Sequence, residues 1–94
     1  MGEKRIIRAD DIVWRRIGDD VVVIRDDGLA VHVLNKTAAH IWERCDGSYR
    51  PDEIVASLCE RFDVGPEEAR ADVEQTLNKL AEIGILRFEE AREG

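Results

Sequence analysis

Between Val33 and Gly47 the run Val-Leu-Asn-Lys-Thr-Ala-Ala-His-Ile-Trp-Glu-Arg-Cys-Asp-Gly passes from strand to helix without a linker. Val33 and Leu34 end an apolar β-type segment. Asn35 is an N-cap residue, whose side-chain oxygen accepts from the unpaired N–H groups of a first helical turn. Ala38, Ile41, Trp42 and Cys45 then fall at i, i+3, i+4 and i+7, the spacing of one buried helix face. Asp46-Gly47 stops the helix, because glycine tolerates the left-handed conformation after a last turn. A helix over about 36–46 is therefore expected to pack directly behind the strand that leads into it.

Ninety-four residues suffice for one modest core, so a single domain over 1–94 is expected, with an ordered core of about 11–88 and frayed termini. Apolar residues make up 44% and charged residues 37%, a globular mixture. No apolar run approaches the ~18 residues of a membrane span and Met1–Arg5 begins no signal-peptide core, so a cytoplasmic protein is expected. The net charge of −7 disfavours nucleic acid and anionic membrane as partners. Bases gather early, at Lys4, Arg5, Arg8, Arg15, Arg16 and Arg25. They read either as a solvated face or as a landing surface for an acidic peptide or enzyme.

Ile12–Ile17 reads as a strand, Gly18-Asp19 as a turn, and Val21–Ile24 as a β-branched central strand. Asp27-Gly28 signals a two-residue hairpin, after which Leu29–Leu34 returns as a third strand, apolar on both faces. A second helix, about 51–62, opens on Pro51 with Asp52 and Glu53 in its first turn and buries Ile54, Val55, Leu58, Cys59 and Phe62. A third, about 66–83, opens on Pro66 and buries Ala69, Val73, Leu77 and Leu80. Gly84 should close it, with Ile85 folding back on Leu80. Leu86–Phe88 reads as a short wing strand and Glu89–Gly94 as a polar tail. The fold class is α+β: a three-stranded antiparallel sheet followed by a three-helix, winged-helix-like bundle.

Catalytic groupings are missing. No phosphate-binding glycine motif occurs, and the acidic pairs fall at turns or helix starts. His32 alternates with apolar strand neighbours, and His40 lies off the apolar stripe of the first helix, where exposure is expected. Cys45 and Cys59 read as buried free thiols, and no spacing with the histidines suits a metal. The chain is expected not to be an enzyme and to need no cofactor. A winged helix would place the third helix in a DNA groove. There Glu67, Glu68, Asp72, Glu74 and Glu82 outnumber Arg70 and Lys79, which repels phosphates. What remains is peptide recognition, since an open strand edge can be completed by another strand. The third strand would be one wall of a groove and the third helix the other. Val31 and Val33 as plain core residues, in a simple interaction or dimerisation module, is the competing reading.

Three landmarks resemble the PqqD-like family, the RiPP recognition elements that hold the leader of a ribosomal precursor peptide. They are Leu34-Asn35 with Ala38-Ala39; Cys45-Asp46-Gly47 followed by Glu53-Ile54; and Asp72-Val73 with Leu77, Leu80 and Gly84-Ile85-Leu86. The resemblance covers roughly 20–88. It implies a leader peptide added as a strand beside Leu29, Ala30, Val31, His32 and Val33. Apolar ligand side chains would enter a cleft against Ala69, Asp72, Val73, Thr76 and Leu80. It also implies delivery to a radical SAM maturase, as in PQQ biosynthesis, or to another RiPP-modifying enzyme. Arg50 departs from the family, whose members often carry Ser or Thr there, so that cap should be weaker. Asp72 is read either as a ligand contact or as a tether between helix and sheet. An exposed edge also permits strand exchange and hence a homodimer.

Overall fold

Val21, Val22, Val23 and Ile24 form the middle of a three-stranded antiparallel sheet, where β-branched side chains pack well on both faces. The computed structural model describes residues 4–28 and 30–90. In chain order the elements are β1 (Lys4–Arg8), β2 (Ile12–Ile17), β3 (Asp20–Arg25), β4 (Val31–Leu34), α1 (Lys36–Glu43), α2 (Pro51–Arg61), α3 (Pro66–Glu82) and β5 (Leu86–Glu90). The sheet order is β2-β3-β4, and β1 pairs with β5 in a second, two-stranded sheet.

Register divides the larger sheet into two faces. Val21 lies opposite Leu34 and Val23 opposite His32, while Trp14 lies opposite Val23. Val21, Val23 and Leu34 on this side are buried against the helices. The other side carries Val13, Ile24 and Val31 in one cross-strand row, with Val33 beside Val22 in the next. Val31 is 60% exposed and Val33 67%, so the reading of both as core residues is corrected. The three helices close over the inner face around Trp42, Ile41, Ile54, Leu58 and Val73.

Helix termini follow the local chemistry. The Asn35 Oδ1 accepts from the Ala38 N–H at 3.0 Å, as an N-cap should. At the start of α2, the Arg50 N–H donates to Glu53 Oε1 at 2.8 Å, which meets part of the cap's need without a Ser or Thr hydroxyl. At the end of α3, Ile85 N–H bonds Leu80 O at 3.1 Å and Gly84 N–H bonds Ala81 O at 3.0 Å. That pair defines a Schellman stop. Gly84 has φ +87°, and a Cβ there would overlap the Arg25 guanidinium.

Several expectations need correction. Residues 4–8 are not a frayed terminus but β1, with Ile6 opposite Phe88 and Ile7 opposite Arg87; Glu89, assigned to the tail, is in β5. Residues 1–3 and 91–94 lie outside the described residues. Helix α1 ends at Glu43 rather than near Asp46. Arg8 N–H donates to Cys45 O at 2.9 Å and Gly47 N–H to Ile6 O at 3.0 Å, so β1 draws this segment out of the helix. Gly47 therefore serves a turn beyond the helix, not its cap. The β3–β4 connection runs through 26–30, longer than a two-residue hairpin.

Gly47 has φ +89°, and a Cβ would stand 3.3 Å from Ile7 Cγ1. Gly47→Ala is expected to cost about 1–2 kcal/mol from the left-handed backbone alone. Thermal unfolding should register this as a fall of several degrees; an unchanged Tm removes the turn from the list of stabilising features.

His40 is buried rather than exposed. Its Nε2 lies 2.8 Å from Ser57 Oγ on α2, and its ring meets Phe62 edge-on at 5.4 Å. Burial, with Arg44 and Arg61 nearby, holds its pKa below the usual histidine value. The unfolded chain thus binds a proton that the folded chain refuses. Stability contributed by neutral His40 is present above the ordinary value of about 6.5 and declines as pH falls through it. A urea midpoint that drops between pH 7.5 and 5.5, less so in His40→Gln, is the expected result.

Candidate functional site

Strand β4 has a neighbour on one side only among the described residues. The Arg25 N–H donates to Ala30 O at 3.2 Å, which marks 25/30 as a hydrogen-bonded pair. Such pairs alternate along an antiparallel ladder. His32 and Leu34, opposite Val23 and Val21, thus bond to β3, whereas the N–H and C=O groups of Val31 and Val33 face the open side. Asn35, by capping α1, holds the end of this edge against the helical layer.

Beside that edge runs a groove of about 590 Å³. One wall is β4 with Thr37 and Ala38 at the start of α1; the other is α3, through Asp72, Gln75, Thr76, Lys79, Leu80 and Ile83. Arg25 Nη2 donates to Ile83 O at 2.8 Å, tying the C-terminal end of α3 to the Val31 end of the sheet. His32 faces inward, and its Nε2 is buried with no hydrogen-bond partner among the described residues. Asp72 makes no hydrogen bond or ion pair with the sheet among the described residues, so the tether reading is corrected.

Of the ten residues singled out from sequence, Val31, His32, Val33, Asp72, Thr76 and Leu80 line this groove. Ala30 is half-buried at the head of β4, and Leu29 lies outside the described residues. Ala69 and Val73 are buried in the core and do not reach the groove, because they lie on the same helix face as Leu77. Leu34, Asn35, Thr37, Ala38, Gln75, Lys79 and Ile83 also line it and were missed as site residues. For those on α3 the signal was helical periodicity: 72, 75, 76, 79 and 83 follow the spacing of one face, turned away from 69, 73 and 77, with Leu80 on the border between the two.

Among the described residues no other grouping has the arrangement of a catalytic or metal site. Burial pushes the Cys45 thiol up to about 12, and its Sγ lies 3.2 Å from Ile41 O, so it behaves as a packed hydrophobe. Among the described residues no cluster of His, Cys, Asp or Glu has the arrangement of a metal site, and no helix is long and apolar enough to cross a membrane. Of the early bases, Arg8 donates to Trp42 O and Glu43 O, Arg16 pairs with Glu43, and Arg25 anchors Ile83. Arg8 and Arg25 thus tie distant elements of the fold together, and Arg16 links β2 to α1.

Comparison with known proteins identifies relatives of the fold. TbiB1, solved in complex with the TbiA(beta) leader peptide, aligns at TM-score 0.77 and 27% identity over 86% of this chain and 94% of that one. Lasso peptide synthetase B1, complexed with the leader peptide, aligns at 0.79 and 20% identity over 88% and 98%. The heterocyclase TruD aligns at 0.66 and 20% identity over 90% of this chain and 11% of its own. At 20% identity the likeness is one of fold. No curated protein matches the chain. The family described as coenzyme PQQ synthesis protein D matches residues 20–86, so this chain belongs to the PqqD family.

Proposed function

We propose that this protein is a non-catalytic peptide-binding element that holds the leader segment of a ribosomally made precursor and presents it to a modifying enzyme. The observation that carries the reading is the open edge of β4, with the main-chain groups of Val31 and Val33 unpaired beside a groove floored by His32, Leu34 and Leu80. A peptide added there gains main-chain hydrogen bonds on one side and buries alternate side chains on the other. The leader-bound state of TbiB1, a protein of the same size and fold, supports a leader as the occupant.

The modifying enzyme in this reading is a radical SAM maturase, the family's usual partner, or another RiPP-modifying enzyme, acting in the cytoplasm. Winged-helix binding to DNA is disfavoured. The exposed side of α3 carries Glu67, Glu68, Glu74 and Glu82, and its β5 wing is paired with β1. A strand-exchanged homodimer would occupy the same edge and compete with the leader.

The test is an amide-shift titration with the leader segment of a candidate precursor peptide. Shifts should concentrate on residues 30–34 and 72–83 and spare α2. A footprint centred on 51–61 would place the ligand elsewhere and end the proposal.

A further inference from the structure

The groove is not purely apolar, and its charges are ordered. Asp72 and Lys79 both line it from α3, and neither has an ion pair among the described residues. Seven residues separate them, two helical turns, so they share a face about 10 Å apart. Thr76 and Leu80 supply a small and an apolar surface along the same stretch. Because Ile83 is tied to the Val31 end through Arg25, Lys79 lies toward that end, and Asp72 two turns toward the Leu34 end.

Resting on the peptide-binding reading above, we propose that the groove selects a strand with a basic side chain facing Asp72, an apolar one over Thr76 and Leu80, and an acidic one facing Lys79. Inward-facing positions on a strand recur about every 6.8 Å. Residues i and i+4 therefore span about 13.6 Å. The long lysine side chain takes up the difference from the helix spacing, and i+2 is left for the apolar contact. Direction follows from the sheet. All three strands are antiparallel, and antiparallel pairing is the more stable ladder. A ligand antiparallel to β4 enters at the Leu34 end, so its base precedes its acid: basic-x-apolar-x-acidic.

Three synthetic twelve-residue strands test this, identical except for Lys and Glu, Glu and Lys, or Gln and Gln at i and i+4. Exposed ion pairs are individually weak, so the Lys-first peptide should bind roughly tenfold tighter than the Glu-first one at low ionic strength. That advantage should shrink in about 0.5 M salt. It should vanish in Asp72→Asn/Lys79→Gln and reverse in Asp72→Lys/Lys79→Asp. Equal affinities for the three peptides, with shifts still on 31–34 and 72–83, or tighter binding of the Glu-first strand, would overturn the charge order and leave the peptide-binding reading intact. No shifts on those residues with any peptide would overturn both.

Discussion

Replacing Trp42 by alanine is expected to lower stability by about 3–5 kcal/mol, the usual range for emptying an aromatic site in a core. Trp42 is fully buried, edge-on to Trp14 with ring centroids 6.0 Å apart. Arg8 lies 5.8 Å from its ring and 5.0 Å from that of Trp14, and its guanidinium donates to Trp42 O at 2.9 Å. The indole thus joins α1, β2 and β1, and the deletion loosens three elements at once. Total stability of a domain this size is about 5–15 kcal/mol, so the variant should be close to unfolding at 37 °C. Trp42→Phe should lose much less. The indole Nε1 has no hydrogen-bond partner among the described residues, so no polar contact is forfeited. Chemical denaturation of both variants checks this. A loss under 1 kcal/mol for Trp42→Ala contradicts the central position given to the indole.

If the proposed function holds, Val31→Pro is expected to weaken leader binding at least about tenfold while the protein remains folded. The Val31 N–H faces the open side of β4 and not β3, so proline removes a donor that the β3 ladder does not use. Leaving the ligand's acceptor unpaired at a docked edge costs about 1–3 kcal/mol. Val31→Ala keeps the N–H and should stay within about twofold, because strand addition depends on the backbone more than on this outward side chain. His32→Pro is the contrasting variant: its N–H belongs to the β3 ladder, so it should damage the fold itself. Calorimetry on the three, with circular dichroism to establish folding, separates the outcomes. Equal binding by folded Val31→Pro and Val31→Ala would remove the edge from the mechanism.

Local physics was enough to read most elements from the chain. The Asn35 cap, Pro51 and Pro66 at helix starts, the Ala69-Val73-Leu77-Leu80 stripe and the Gly84-Ile85 stop each act within a few residues, and each stands in the structure as read. The β3 and β4 strands were legible for the same reason. What stayed hidden depends on distant partners. Ile6 and Ile7 look like scattered hydrophobes in a charged terminus until β5, some eighty residues later, pairs with them. That pairing also shortens α1 and changes what Gly47 does. His40 sits off the local stripe, and only the arrival of Ser57 and Phe62 from the second helix buries it.

The groove shows the same division. Sequence alone determined which residues belong to the edge strand and to the long helix, because strand and helix periods are local properties. It did not decide which helix face lines the groove and which fills the core, and so it grouped Ala69 and Val73 with Asp72 and Thr76. Nor did it reveal that Val31 and Val33 turn outward while their backbone groups point to the open side. Those facts depend on the register of β4 against β3 and on the docking of α3, set by Arg25 on Ile83 and by the packing of distant apolar faces. Both are energies of tertiary contact, to which no single segment commits alone.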